Sequence, residues 1–144
     1  FRYDDWANAG HLEKMKQGTP APGALKAMAH VLSARAIWLK RVNGEPTDGM
    51  VFYPELSLEE CAELHERISA DWAEWLKSLT PATLNELVSF KDSEGNPYTL
   101  DRQTMLTNVL LHSAHHRGQS AQHQKQAGNK ITDLDLYLAP VGQE

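Results

Sequence analysis

From Ser57 to Leu79 the apolar side chains recur at intervals of three, four and seven, a spacing that only a helix turns into a single face. Leu58, Cys61, Ile68, Trp72, Trp75, Leu76 and Leu79 all fall on one side, and that side needs partners to cover it. Ser57 followed three residues later by Glu60 has the pattern of a capping box at the start, and Thr80-Pro81 supplies the stop. A chain built around such a segment has to supply other amphipathic elements.

It does. Tyr3 to Gln17 reads as a helix with Trp6, Ala7 and Gly10 spaced for one face, ended by the sequence GTPAPG. Ala24 to Val42 reads as a second helix whose stripe is Leu25, Met28, Ala29, Leu32, Ala36 and Leu39, closed by Asn43-Gly44. The following EPTDGMVFYPE is loop. Between Leu87 and Leu100 the period changes, and two short β-prone runs flank the turn-rich DSEGNP, which predicts a small hairpin. A last long helix is expected from about Asp101 to Ala127, stopped by Gly128-Asn129, with the tail ITDLDLYLAP laid against the bundle as an extended segment. The expected fold class is all-α. It is a four-helix bundle with a β-hairpin before the last helix, and 144 residues suit a single domain spanning 1–144.

Composition narrows the function classes. A formal net charge of -5 argues against binding nucleic acid through phosphate neutralisation. No apolar run approaches the roughly 18 residues that would span a bilayer, so no membrane partner is expected. One cysteine, Cys61, rules out an internal disulfide and a cysteine-rich metal site. It suits a reducing compartment, with the cytoplasm as the expectation. On its apolar stripe it reads as a buried, inert thiol, and Trp38, Trp72 and Trp75 read as core.

The chemistry concentrates in HSAHHRGQ, residues 112–119, which holds three of the chain's seven histidines. At about 100° per residue, His112 and His116 lie roughly 40° apart on successive turns, at the edge of the inner face marked by Met105, Leu106 and Val109, and His115 points away. Two imidazoles at i and i+4 are an arrangement by which helices hold zinc, nickel or iron. The pattern also arises by chance among seven histidines. Its inward placement, where an unpartnered imidazole is costly, gives it weight. A third ligand from another helix has two candidates. His65 lies on the apolar stripe but reads equally as a hydrogen-bonded core residue, and His30 sits off the main stripe of its helix. Periodicity does not decide between them. His11 and His123 read as surface or rim residues, since His123 lies about 10 Å along the axis from His116. Gln119 reads either as a hydrogen-bond partner of a ligand histidine or as a surface residue. Arg117 reads as an ion-pair partner on the bundle flank, and Gly118 as a point of close helix approach.

YDDWANAGHL, MAHVLSARAIWLKRV, HSAHHRGQ and DLDLYL, in that order along nearly the whole chain, resemble the DinB-like (DinB/YfiT) family of four-helix-bundle metalloproteins. The resemblance implies a divalent metal ion, with zinc or nickel foremost and iron or manganese as alternatives. It implies that His30, His112 and His116 are the ligands. It also implies an activity class, metal-dependent S-transfer or hydrolysis acting on small electrophiles with a low-molecular-weight thiol such as bacillithiol or mycothiol. The alternative is a non-catalytic metal-binding stress-response bundle. A homodimer is a further implication. In the family's first-helix pattern Trp6 and Asn8 recur, and packing and a buried hydrogen bond are the expected roles here.

Overall fold

The fold was analysed in a computed structural model, which describes residues 1–140. Four long helices, α1 (Arg2–Met15), α2 (Pro22–Val42), α3 (Leu58–Leu76) and α5 (Arg102–Gln126), form the bundle. A single turn, α4 (Pro81–Leu84), and a hairpin of β1 (Leu87–Lys91) and β2 (Pro97–Asp101) precede the last of them. The helix α2 packs against α5 and α3, and α1 against α3 and α5, so the four close a ring with α1 diagonal to α2. The expected all-α bundle with its hairpin is what forms. No helix among the described residues is long and apolar enough to cross a membrane.

Local chemistry sets the boundaries. Ser57 and Glu60 form the expected capping box on α3, with Glu60 N donating to Ser57 Oγ at 3.1 Å and Ser57 N to Glu60 Oε2 at 2.7 Å. Asp101 caps α5 by accepting from Thr104 N at 2.8 Å. Gly44 and Gly128 follow α2 and α5 with φ of 69° and 79°, the left-handed conformation that lets a helix end without a Cβ clash. In the hairpin, Val88 pairs with Leu100 and Phe90 with Tyr98. The turn is held by Asp92, whose Oδ1 accepts from Glu94 N and Asn96 N, each at 2.9 Å. Arg102 fastens the start of α5 to the end of α2, donating to Val42 O at 2.9 Å, and it pairs with Glu86 as well.

The core has two parts. One gathers Leu12, Met15, Met28, Val31, Leu32 and Cys61. The other gathers Val42, Ile68, Trp72, Met105 and Val109, with Phe1, Trp38 and Trp75 packed against it. Trp72 is fully buried and donates its indole N–H to Arg35 O at 3.1 Å. Trp38 and Trp75 are half-buried.

Two elements differ from the sequence reading. The inner side of α1 is Asp4, Ala7, Asn8, His11, Leu12 and Met15, while Trp6 and Gly10 lie at its edge, half-buried. A hydrophobic count cannot see a helix face whose buried residues include an acid, an amide and an imidazole. The tail, expected to be extended, makes a 3-10 turn at Leu136–Leu138. It is tied back to α1 by Tyr3 Oη donating to Leu134 O at 2.9 Å.

Candidate metal centre

The helix α2 lies at the heart of the bundle and is buried on nearly every side, with twelve of its residues inaccessible or nearly so. His30, off the apolar stripe, is therefore buried all the same, on the side that meets α5. There it finds His112 and His116, both half-exposed. The ring centroids of the three stand 4.8 Å (His30–His112), 4.3 Å (His30–His116) and 4.4 Å (His112–His116) apart. One nitrogen from each lies within 4.8 Å of the others, so the three imidazoles expected from HSAHHRGQ and α2 do come together as a group that can hold a metal ion.

Their hydrogen bonds set which nitrogens face the centre. His30 Nδ1 lies 2.6 Å from Phe52 O. A carbonyl only accepts, so Nδ1 carries the proton and Nε2 offers a lone pair. His116 Nδ1 lies 2.6 Å from Gln119 Oε1, which fixes His116 in the same tautomer. Gln119 in turn donates from its amide nitrogen to His115 Nε2 at 3.3 Å. Thus Gln119 is a partner of a cluster histidine, and exposed His115 stands behind it as the wheel placed it. On the other side of the cluster His30 Nε2 and His112 Nε2 approach to 3.1 Å. Two nitrogens each about 2.1 Å from one ion would stand roughly 3.0 to 3.4 Å apart for ligand angles between right and tetrahedral.

Electrostatics favours neutral donors. Burial first, then the imidazoles of His116, His30 and His115 in that order, together lower the pKa of His112 to about 4. Burial also lowers that of His30, against the opposing pull of its bond to Phe52 and with a smaller lowering from His116. Neutral imidazoles are the metal-binding form. Among the described residues the group has three members and includes no carboxylate or thiolate. Closed structural zinc sites have four.

The loop after α2 walls the group. The Tyr53 ring stacks on His30 at 3.9 Å with an interplanar angle of 1°, and Lys26 Nζ lies 5.9 Å from the Tyr53 centroid. A cavity of about 530 Å³ lies beside Tyr53, lined by Leu25, Lys26, Tyr53, Glu55 and Leu56 and by none of the three histidines, within the size range of small-molecule sites.

The other singled-out residues lie elsewhere. His65 is buried in α3, its Nδ1 3.4 Å from Ser69 Oγ, and is a core histidine outside the group. His11, expected at the rim, is 1% exposed. Its Nε2 is 2.7 Å from Ser120 Oγ, and that hydroxyl donates to Ala24 O at 2.9 Å, so the His11 ring donates to the serine. Sequence reasoning missed this residue because Ser120, its partner, is 109 positions away. His123 is exposed as expected. Arg117 does form an ion pair, but in the interior: Nη1 contacts Asp4 Oδ1 and Asn8 Oδ1, each at 2.8 Å. Gly118 is exposed, and among the described residues nothing lies near the position of a Cβ, so none of the other described helices approaches it closely.

Two measurable consequences follow from these burials. Burial first, then Arg117, lower the pKa of His11 from 6.5 to about 4. Between those values the unfolded chain binds a proton that the folded chain refuses, so stability present above pH 6.5 is lost as pH falls toward 4. This residue contributes about 3 kcal/mol to that loss. Thermal melts across this range should show a shallower pH dependence in a His11→Gln variant, and an unchanged slope counts against this account. Cys61 is fully buried, and burial, with Glu60 adding, raises its pKa to about 11. At pH 7 roughly one thiol in ten thousand is thiolate, so native protein should resist alkylation by iodoacetamide, and protein unfolded in urea should be labelled stoichiometrically.

A model of the DinB family matches residues 8–143. No curated protein matches the chain. Among solved structures, the crystal structure of a DinB-like protein from Bacillus cereus ATCC 10987 matches with a TM-score of 0.68 at 22% identity, over 91% of this chain and 90% of that one. That likeness establishes the fold, and with a family match over most of its length, the chain belongs to the DinB family.

Proposed function

We propose that His30, His112 and His116 hold a divalent metal, zinc or nickel before iron or manganese, and that the protein is a metal-dependent enzyme joining a low-molecular-weight thiol to a small electrophile. The observation that carries the reading is the inward convergence of the imidazoles, with two Nδ1–H groups anchored on Phe52 O and Gln119 Oε1. When bound, the metal supplies Lewis acidity that brings a coordinated thiol or water toward ionisation at neutral pH. Three protein ligands leave coordination positions for such a molecule.

The chain's own residues do the rest. Phe52 O and Gln119 keep the donor nitrogens aimed inward, as hydrogen-bonded partners of metal-ligating histidines generally do. Tyr53 covers one face of His30 and limits access from that side. The neighbouring cavity of about 530 Å³ is large enough for a small thiol, and Lys26 at its edge offers a cation to an anionic group on the ligand.

The test is elemental analysis of the purified protein followed by a transfer screen with bacillithiol, mycothiol and glutathione against one generic electrophile. Metal at one per chain together with transfer from at least one thiol is the expected result. A metal-loaded protein that transfers none of them would sink the S-transferase reading and leave a hydrolase, or a non-catalytic metal-binding bundle.

A further inference from the structure

Where α1 and α5 end side by side, a buried amide has its donor left over. Gln124, in the last turn of α5, is 2% exposed. Its Oε1 accepts from Ala21 N at 2.7 Å and from Asn129 Nδ2 at 3.1 Å. A backbone N–H only donates, so the bond from Ala21 fixes which end of the amide is oxygen and turns Nε2 the other way. Among the described residues the polar side-chain atoms sealed in the interior without a partner are Arg35 Nε, Arg41 Nε and Ser113 Oγ. Gln124 Nε2 is unpartnered there too but is not sealed, and the small part of Gln124 that stays accessible lines a cavity.

That cavity, of about 310 Å³, lies between the chain leaving α1 and the chain leaving α5, and its wall includes Lys14, Gly18, Gln124, Gly128, Asn129 and Lys130. No acidic residue is in the wall among the described residues. Lys14 is half-buried, and Glu13 beside it in sequence is paired with Lys16 at 2.9 Å. The carbonyls of the wall's two helical residues are spent inside the chain, Lys14 O on Gln17 N at 3.2 Å and Gln124 O on Asn129 N at 2.9 Å. We propose that this cavity is a binding site for phosphate, free or as the phosphate group of a small metabolite, with Lys14 and Lys130 supplying charge and Gln124 Nε2 a fixed donor. Ammonium groups act on phosphate as point charges, and a preset amide donor adds direction. Asn129 has its Nδ2 committed to Thr19 O at 2.9 Å and to Gln124, which leaves its Oδ1 an acceptor. A phosphate that keeps one proton can donate to it, and sulfate cannot. Lysines at helix C-termini also answer the macrodipole, but that role makes no use of an amide donor facing the same space. Gln124 lies about 12 Å along α5 from His116, so the site stands whether or not the histidines hold a metal.

The experiment titrates inorganic phosphate into the whole protein at fixed ionic strength, following backbone amide resonances, with sulfate, chloride and glycerol 3-phosphate as parallel arms. Phosphate should shift Gly18 and Gly128 saturably and leave Gly49 and Gly95 unmoved. It should bind at least roughly tenfold more tightly than chloride, with sulfate between the two. Glycerol 3-phosphate separates the sources: tighter binding than phosphate assigns the site to phosphorylated metabolites, weaker binding to the free ion. Gln124→Glu keeps an acceptor for Ala21 N and Asn129 Nδ2 and turns the donor into an anionic oxygen, so it should weaken phosphate at least roughly tenfold. Lys130→Gln, at an exposed position, should weaken it several-fold. A His112→Ala protein separates this site from an anion held by a metal, because the shifts at Gly18 and Gly128 should survive there. Absence of saturable shifts at those two glycines overturns the proposal, as does chloride or sulfate that binds as tightly as phosphate, or an affinity undiminished in either Gln124→Glu or Lys130→Gln. Binding that disappears with His112 overturns it too and leaves the metal reading standing. Lys130→Gln decides the matter even where Gln124→Glu fails to fold.

Discussion

Replacing His112 with alanine is expected to strip the purified protein of stoichiometric divalent metal while leaving its helical circular dichroism unchanged. The side chain is half-exposed on α5, and alanine is the strongest helix former, so the bundle loses little. The change also removes the close approach of His112 Nε2 to His30 Nε2. What it removes from a metal is one of three donors. Changing Gln119 to alanine, which frees the Nδ1–H of His116 and, outside the group, Nε2 of His115, should weaken affinity by roughly 10- to 100-fold, the range for hydrogen-bond partners of ligands. His112→Ala should exceed that loss. Competition with a chromogenic chelator orders the series, with His115→Ala and His65→Ala expected to match the wild type. Full metal content in His112→Ala, or loss in His65→Ala alone, defeats the ligand assignment.

That assignment also marks where the sequence stops being readable. The stripe of α3, its capping box, the glycine stops of α2 and α5 and the hairpin around DSEGNP are all local, and each forms where the residues put it, except that α3 ends at Leu76 and leaves Leu79 beyond the helix. The inward pair on α5 was legible for the same reason, since a helical wheel is local geometry. His30 was not. Periodicity finds a stripe, and α2 is buried almost all round, so position off the stripe carried no information about burial; only the family resemblance pointed to His30. The same limit hid His11 and placed Arg117 on the flank, because the partners that draw them inside, Ser120 and Asp4, are on other helices. Polar residues in a core are specified by long-range pairs, which neither hydropathy nor spacing encodes. The roles of Tyr53 and Phe52 were equally unreadable, since their loop carries no period.

Asp4→Ala should be the most destabilising single change in the polar core. Asp4 is 1% exposed and serves two cations: Oδ1 lies 2.8 Å from Arg117 Nη1, and Oδ2 lies 3.3 Å from Arg35 Nε. The second contact is a Coulombic one, because the Nε–H is not directed for a hydrogen bond. Oδ2 also accepts from Asn8 Nδ2 at 3.3 Å. Removing the carboxylate leaves Arg117 with Asn8 Oδ1, and Arg35 with Asp5 at 2.6 Å and Ser69 at 3.3 Å. Arg117 would then have no acid within ion-pair distance among the described residues, and Arg35 only the partly exposed Asp5. Breaking a buried pair from one side costs about 3–5 kcal/mol, which for a domain of this size lowers Tm by roughly 10–20 °C. Asp4→Asn, which keeps an acceptor but not the charge, should fall between the two. The decisive comparison is a double-mutant cycle with Arg117→Met. If the loss in Asp4→Ala comes from a stranded cation, adding Arg117→Met should recover part of it, because the second change removes one of the charges left without its partner. Strict additivity of the two melting shifts would mean that Asp4 acts by filling space, and that the register of α5 against α1, which turns His112 and His116 toward α2, is set by packing instead of by this ion pair.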